Sequence, residues 1–330
     1  MSEKRCTDTD YINFLIGTPK VYTCMEAARV QPDKENAPSH DSLTRFLKRE
    51  DISSEELWKE AEAFIKKEEG ILVVDDSTLD KPYAQKIDLV SYHWSGKHHR
   101  VVKGINLISL VWTNGDIHIP CDYCVYDKEE GLTKNDHFMN MIDMAYKRGF
   151  KPNCVGFDSW YASLDNLKHI QNLKWIWLTR LTPNRQVNPD NTVNRPLSET
   201  AIEEKGTVVH LKGYGMIKVF KIVSKDGSIE YWATNKLDMD ILECLSLGEK
   251  TWGIEEYHRE IKQYCGIERC QARSRQSQIN HIGLSIRACL RLIVRSYELG
   301  KSLFELKYDI IRDAVRRYLG NPYLTLNLTA

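Results

Sequence analysis

A short, continuous run of apolar residues that ends in two acids places the strongest constraint on the fold of this chain. The run reads Gly70-Ile-Leu-Val-Val-Asp-Asp-Ser-Thr78. It has the length of a strand but lacks the alternation of polar and apolar residues that marks a strand with one solvated face. Strands buried on both faces occur in sheets that helices cover. The run therefore predicts a central strand of an α/β fold, with Asp75 and Asp76 at its end and facing a cleft.

The rest of the chain supplies the other elements of such a fold. A second brief apolar run, at residues 152–157, ends in Asp158 and precedes a helix predicted to begin near Ser163. An Asn-Gly pair at 114–115 joins two apolar runs, which is the strongest short signal for an antiparallel hairpin. The predicted order is three strands, helix, strand, helix, strand. This is the order of the ribonuclease H-like fold, a mixed sheet flanked by helices.

Changes in composition along the chain predict its domain organisation. The predicted parts are a helical N-terminal region at 1–69 with a possible DNA-binding role, the first part of the ribonuclease H-like core at 70–181, an inserted β-rich segment at 182–246, the remaining core helix at 247–275, and C-terminal helices at 276–330. Glycine pairs and Asp-Gly turns separate the apolar runs of the inserted segment, which favours strands there.

Composition and charge limit the classes to which the protein can belong. Lys plus Arg equals Asp plus Glu at 46 each, so the chain lacks the bulk positive field of a small nucleic-acid-binding domain. Any nucleic-acid site must come from local patches. No apolar run is long enough for a membrane span, and the first residues do not resemble a signal peptide, so we expect a cytoplasmic protein. The nine cysteines form no framework and are interpreted as reduced thiols, and their spacing does not favour zinc.

A predicted helix at residues 251–263 brings an acid next to cations and an apolar stripe. Four residues recur along it at helical spacing and form the stripe: Ile254, Tyr257, Ile261 and Cys265. Glu255 and Lys262 project within roughly 20° of each other on its flank. His258 and Arg259 lie nearby on the same helix. The alternative interpretation is a solvated face with an ion pair between Glu255 and Arg259, which stabilises a helix by only a few tenths of a kcal/mol.

Three acids that lie far apart in the sequence are candidates for one site. The predicted topology places Asp75 or Asp76 at the end of the first strand, Asp158 at the end of the fourth, and Glu255 on the late helix. Carboxylate oxygens are ligands that Mg²⁺ prefers, and two such ions about 4 Å apart activate a water or a 3′-hydroxyl on a phosphodiester. Each aspartate taken singly could instead be a strand-end cap or a turn residue. Together, the acids predict a site for phosphodiester cleavage with two metal ions.

Several basic residues are candidates for DNA contact. They are Lys262, Arg259, His258, Lys97, Arg100, Arg45 and Lys48. Those on the late helix would face substrate phosphates. The short helix predicted at residues 43–49 is either a DNA-reading helix or plain basic surface. Residues 92–100, predicted as an aromatic and basic loop, form either a DNA-backbone surface or a merely polar loop.

Three segments resemble the DDE transposases of bacterial insertion sequences, in the cut-and-paste group with a β-strand insertion before the catalytic glutamate. The segments read Asp75-Asp-Ser77, Phe157-Asp-Ser-Trp-Tyr161 and Trp252-Gly-Ile-Glu-Glu-Tyr-His-Arg-Glu-Ile-Lys262. The resemblance implies that the acids at 75, 158 and 255 bind two Mg²⁺ ions, with Mn²⁺ as a substitute. It implies cleavage and joining of double-stranded DNA at terminal inverted repeats and at a target, by a homodimer on paired ends. It also assigns phosphate binding to Lys262.

The chain departs from the pattern of that family at two positions and leaves one choice open. The family has a tyrosine and an arginine shortly before the glutamate, where this chain has Gly248 and Thr251, so the DNA-contacting part of the signature stays open. Both aspartates of the first strand fit the family pattern. Asp75 is preferred because Lys81 then has the spacing expected in close relatives, and Asp76 is the alternate.

The sequence thus predicts a transposase that acts on double-stranded DNA and is associated with the nucleoid in the cytoplasm. Two alternatives remain at this point. One is a structure-specific DNA nuclease of the same fold, and the other is a non-catalytic DNA-binding descendant of a transposase.

Overall fold

The computed structural model describes residues 6–33, 35–95, 100–224 and 227–324. Its helices are α1 (Asp8–Gly17), α2 (Cys24–Arg29), α3 (His40–Arg49), α4 (Ser54–Ala61), α5 (Lys134–Lys147), α6 (Leu164–Asn172), α7 (Ile241–Thr251), α8 (Gly253–Tyr264), α9 (Arg275–Leu299) and α10 (Leu303–Gly320). Its strands are β1 (Ile71–Asp80), β2 (Ser91–Ser95), β3 (Arg100–Thr113), β4 (His118–Tyr126), β5 (Cys154–Phe157), β6 (Trp177–Leu181), β7 (Gln186–Asn188), β8 (Arg195–Pro196), β9 (Thr207–Leu211), β10 (Gly215–Val223) and β11 (Ile229–Thr234).

The chain divides into two compact units that interleave along the sequence. The first consists of Met1–Ser53, Tyr83–Asp88 and Arg259–Ala330, and the second of Ser54–Pro82 and Leu89–His258. Both ends of the chain therefore belong to one unit. The central strands and Glu255 belong to the other.

The second unit is built on a mixed sheet. Its strands follow the order β2-β3-β1-β5-β6-β11-β10-β9-β7-β8, and β4 pairs with β3. β1 is antiparallel to β3 and parallel to β5, which is in turn parallel to β6. Helices α4, α5, α6 and α7 pack against this sheet. The arrangement confirms the predicted α/β class with a ribonuclease H-like mixed sheet.

Burial explains why the first central strand forms where the sequence predicts it. The residues from Ile71 to Val74 are each at most 2% exposed, as expected for a strand covered on both faces. The predicted hairpin is formed by β3 and β4. In its turn, Asn114 Oδ1 accepts the backbone N–H groups of Asp116 and Ile117 at 2.9 and 3.1 Å. Gly115 has φ 108°, a backbone conformation that favours glycine.

The segment between β6 and α7 contains the predicted strands and extends the same sheet. β11 pairs antiparallel with β6, and β10 and β9 follow β11. The hydrogen bonds of the core strands therefore continue into this segment. Where the boundaries of the predicted regions fall stays a prediction.

The prediction of a loop at residues 92–100 is wrong for the first residues of that range. Ser91–Ser95 is strand β2, paired antiparallel with the start of β3. His93 is buried, whereas Tyr92 and Trp94 are 65% and 64% exposed. This period-two alternation is that of a half-buried strand, but its polar residues hid it in the sequence. Lys97 lies outside the described residues.

Two helix predictions also need correction. The helix predicted to start at residue 251 is α8, which begins at Gly253, and the preceding helix α7 was not predicted. The helical region predicted at 1–69 does not remain α-helical near its end, because α4 ends at Ala61 and continues as a single 3₁₀ turn to Phe64. For both helices, the apolar pattern predicted a helical region but not the residues at which the helix begins and ends, because local capping determines them.

The first unit is organised around α9, the most buried of its described helices. α1, α3 and α10 pack against it. Asn280 of α9 donates from Nδ2 to the carbonyl of Leu47 at 2.8 Å and accepts the N–H of Ile52 at 2.9 Å. Polar side chains of α9 thus satisfy backbone groups near the end of α3. Among the helices of the described residues, none has the length and apolar composition that crossing a membrane requires.

Candidate active site

Strand β1 presents its two adjacent aspartates to opposite faces. Successive side chains of a strand point to opposite sides, so Asp75 and Asp76 have different neighbours. Asp75 lines a cleft of about 220 Å³. Asp76 lies in a network of hydrogen-bond donors.

Three donors surround Asp76 and hold it in its ionised form. Its Oδ2 accepts from Lys134 Nζ at 2.7 Å and from Asn106 Nδ2 at 2.6 Å, and its Oδ1 accepts from the hydroxyl of Tyr161 at 2.9 Å. Burial alone raises the pKa of this carboxyl, but the charge of Lys134 and the hydrogen bonds outweigh burial and lower the pKa below its ordinary value. Both carboxylate oxygens of Asp76 therefore already accept hydrogen bonds from other side chains of the protein.

Asp158 reaches the same edge of the sheet as Asp75. β1 and β5 are parallel, and Val74 is aligned with Phe157, so each aspartate is the residue after an aligned pair. Asp158 Oδ1 accepts the backbone N–H of Trp160 at 2.9 Å and thereby caps a short 3₁₀ turn. Burial raises the pKa of its carboxyl. The register of two parallel strands is what brings these two acids to one end of the sheet.

Glu255 enters the cleft from the first turn of α8. The apolar stripe predicted for this helix is confirmed by its burial: Ile254, Tyr257, Ile261 and Cys265 are each at most 3% exposed. Gly253 lets the start of the helix approach β4 closely, since a Cβ there would lie 2.2 Å from Nδ1 of His118. His118 is fixed by Thr113 Oγ1 at 2.9 Å and lies 3.3 Å from Glu256.

Two acids of the cleft, Asp75 and Glu255, form a compact donor cluster with His258, and this cluster does not include Asp158. Asp75, Glu255 and His258 each offer a ligand atom, and these atoms lie within 4.8 Å of one another. Nδ1 of His258 is 3.8 Å from Oδ2 of Asp75. Burial raises the pKa of the Asp75 carboxyl well above its ordinary value, and three neighbouring acids raise it further: Asp76, Asp158 and Glu255. Negative charge at Asp75 is thus unfavourable in the protein alone.

The residues of the cluster fit a divalent cation. Buried carboxylates with raised pKa values gain from a nearby positive charge. Carboxylate oxygens suit Mg²⁺ and Mn²⁺, and imidazole nitrogen suits transition metals such as Mn²⁺ better than Mg²⁺. The donor set is therefore chemically compatible with a divalent ion.

The cleft is also lined by residues that were not predicted from the sequence to belong to the site. Arg180 of β6 lines it together with Trp232 and Trp252. The Arg180 guanidinium donates to Glu230 at 2.8 Å and lies 5.4 Å from the ring centroid of Trp232. Arg180 is the one charged residue of the short strand β6, and that charge within a mostly buried strand is the signal that could have identified it.

The described basic residues that are predicted to contact DNA differ in their exposure and partners. Arg45 and Lys48 are exposed on α3, Arg100 is exposed at the start of β3, and Arg259 is exposed on α8. Lys262 Nζ is 3.4 Å from Glu268 Oε1. His258 differs from the others because only 4% of it is exposed and its Nδ1 lies 3.8 Å from Oδ2 of Asp75. DNA contact by these residues stays a prediction.

The comparisons with known proteins agree with the fold and with the family resemblance. The family model described as "Transposase DDE domain" matches residues 66–291. Among solved structures, the chain is similar to the piggyBac transposase in a synaptic complex with hairpin DNA, with a TM-score of 0.55 and 10% identity over 98% of this chain and 74% of that one. That likeness shows the fold.

A second solved structure is more distant, and no curated protein matches. The Drosophila P element transposase in a strand transfer complex gives a TM-score of 0.28 and 13% identity, over 92% of this chain and 63% of that one, which is too low to carry an argument. No protein among the curated ones matches the chain. The family model, however, covers most of the chain, including all three acids of the cleft. The chain therefore belongs to the transposase DDE domain family.

Proposed function

We propose that this transposase catalyses metal-dependent cleavage and strand transfer of double-stranded DNA at the ends of an insertion sequence. The observation that carries the proposal is the convergence of acids from distant parts of the chain. Asp75 and Asp158 follow aligned residues of two parallel strands, and Glu255 of α8 has a ligand atom within 4.8 Å of one on Asp75. All three acids line one cleft of about 220 Å³.

The chain contributes ligands and orientation rather than a nucleophile. Divalent ions, when bound, activate a water or a 3′-hydroxyl and stabilise the leaving oxygen. Asp75 and Asp158 would hold these ions, and the cap that Asp158 forms on the turn at Ser159–Tyr161 orients its carboxylate. Glu255 completes the set, and its exposed carboxylate accepts a hydrogen bond from the attacking water. Arg180 supplies positive charge for a phosphate at the wall of the cleft.

The partners proposed for the chain follow from its family. The similar piggyBac structure is described with hairpin DNA, which supports double-stranded DNA as the substrate. We propose terminal inverted repeats and target DNA as the sequences bound, a homodimer on paired ends, and a nucleoid-associated location. The net charge of zero means that DNA contact depends on local patches such as Arg45 and Lys48.

Cleavage of a supercoiled plasmid that carries the terminal repeats tests the proposal. Asp158→Asn is expected to lose cleavage by at least about 10³-fold with either Mg²⁺ or Mn²⁺, because it removes a ligand charge from the site. The matched control is Asp143→Asn, a half-exposed aspartate of α5 that pairs with His169 at 2.8 Å; it is expected to cleave like the wild type. Equal cleavage by Asp158→Asn and the wild type would contradict the proposal.

The same assay separates the two alternatives. Cleavage without joining of the released ends to a second plasmid identifies a structure-specific nuclease. Binding of the repeats without cleavage in either metal identifies a non-catalytic DNA-binding protein.

A further inference from the structure

His258 lies on the same face of α8 as Glu255 and borders the cleft. Residues three apart on a helix are neighbours on its surface, so the turn that brings Glu255 to Asp75 also brings the imidazole. The side chain of His258 is 6% exposed and that of Asp75 is 19% exposed. The imidazole is therefore fixed beside the acids and largely withdrawn from solvent.

The distance between His258 and Asp75 suits a shared ion better than a direct contact. Their nearest atoms, Nδ1 and Oδ2, are 3.8 Å apart, which is too long for a hydrogen bond. Two donors that bind one ion at about 2.1 Å are about 3.0 Å apart when adjacent and about 4.2 Å apart when opposite. The measured separation falls between these values. All three donor atoms lie within 4.8 Å of one another, which is close to the separation of two opposite ligands of one ion.

We propose that His258 is a nitrogen ligand of a divalent ion that Asp75 and Glu255 also bind, and that it shifts the preference of the site from Mg²⁺ toward Mn²⁺. The reason is the chemistry of the donor: Mg²⁺ is bound through oxygen, whereas imidazole binds Mn²⁺ and the later transition metals well. This inference rests on the proposed function, because it adds a ligand to the same metal site.

Electron paramagnetic resonance of bound Mn²⁺ tests the inference without reference to activity. Pulsed spectra of the purified full-length protein with Mn²⁺ alone are expected to show coupling to a ¹⁴N nucleus. Labelling with ¹⁵N-histidine should replace it with ¹⁵N coupling. His258→Gln is expected to lose the coupling and to weaken Mn²⁺ binding by about tenfold or more, with less than about threefold change for competing Mg²⁺. The control His118→Gln alters a nearby histidine outside the cluster and should keep the coupling.

The outcomes separate this inference from the proposed function. Mn²⁺ binding that Asp75→Asn abolishes, but that shows no histidine nitrogen coupling in the wild type, overturns the role of His258 and leaves the metal site in place. Binding that neither Asp75→Asn nor Glu255→Gln weakens overturns the metal site and, with it, both proposals. The spectrum of the wild type decides the question even if His258→Gln does not fold, which thermal melts in EDTA would reveal.

Discussion

At the scale of single residues, two adjacent aspartates of one sequence motif lie in different chemical environments. Asp75 is buried among like charges and gains from a cation, whereas Asp76 receives donors from Lys134, Asn106 and Tyr161. The geometry favours Asp75 as the metal ligand and gives Asp76 a role in the fold. The assignment of these roles stays a proposal that substitution can test.

Asp76→Asn is expected to lower the free energy of unfolding by about 2–3 kcal/mol, because it leaves the mostly buried Lys134 ammonium without its anion. Asp75→Asn is the matched control at the neighbouring position. In EDTA, Asp75→Asn should not lower the free energy of unfolding, because a neutral amide at position 75 removes the repulsion between this position and the neighbouring acids. Urea unfolding in EDTA measures both variants. Equal destabilisation by the two variants would contradict the different roles.

His93 of β2 is expected to make the protein less stable in acid. Burial lowers its pKa from 6.5 to about 4, and the charges of Lys128 and Lys134 contribute. Because the unfolded chain takes up the proton first, stability falls as the pH drops from 6.5 toward 4. The contribution between pH 7.5 and pH 5 is about 2 kcal/mol. Urea unfolding at the two pH values should show a smaller loss for His93→Gln, and an identical loss would refute this pKa.

At the scale of elements, the close approach of α8 to β4 positions the glutamate. Gly253→Ala would put a Cβ 2.2 Å from the ring of His118, whose position Thr113 helps to fix. The start of the helix must therefore move. A displacement of about 1 Å at a catalytic group costs up to about 10²-fold in rate, so we expect at least a tenfold loss of plasmid cleavage.

Two further variants make the Gly253 experiment specific. Gly17→Ala adds a Cβ that meets nothing within 4 Å and should cleave normally. The double variant Gly253→Ala/His118→Ala removes the obstructing ring and should recover part of the activity. No recovery would mean that the glycine acts through something other than this contact.

At the scale of the whole molecule, balanced charge predicts DNA binding that depends on a few exposed cations. The logarithm of the binding constant should fall linearly with the logarithm of salt concentration, with a slope of about 0.9 per phosphate contact. If α3 contacts the backbone, Arg45→Ala/Lys48→Ala should reduce the slope by about two. Fluorescence anisotropy of labelled repeat DNA at several salt concentrations measures it. An unchanged slope would show that Arg45 and Lys48 of α3 do not contact DNA phosphates.

The two ends of the chain fold into one unit, which local sequence could not reveal. Arg287 of α9 pairs with Asp8 at 2.8 Å, and Lys307 of α10 donates to the carbonyl of Leu15 at 3.0 Å. The sequence predicted helices at both ends but described them as separate regions. Contacts between residues nearly 300 positions apart leave no periodic signal in either segment, because periodicity reports only which face of a helix is apolar.

The sequence by itself determined the elements whose burial follows from composition. The apolar run before Asp75 specified a strand covered on both faces, Asn114-Gly115 specified the hairpin, and the stripe of α8 specified its buried face. These features are local, since each depends on hydrophobic periodicity or turn chemistry within a few residues. The family resemblance named three acids for the site and preferred Asp75 to Asp76 only on the spacing to Lys81.

Tertiary structure decided what depends on register and distance. The alignment of β1 with β5 brings Asp75 and Asp158 to one edge, and the approach of Gly253 to β4 directs Glu255 and His258 toward them. The burial of His258 was not predicted, because a sequence shows charge and spacing but not burial. The preference for Asp75 also gained a physical reason only from the donors around its neighbour. The sequence specifies which side chains are present. Their neighbours, which determine the pKa of each titratable group and which groups can bind a metal ion together, are fixed only when distant segments pack together.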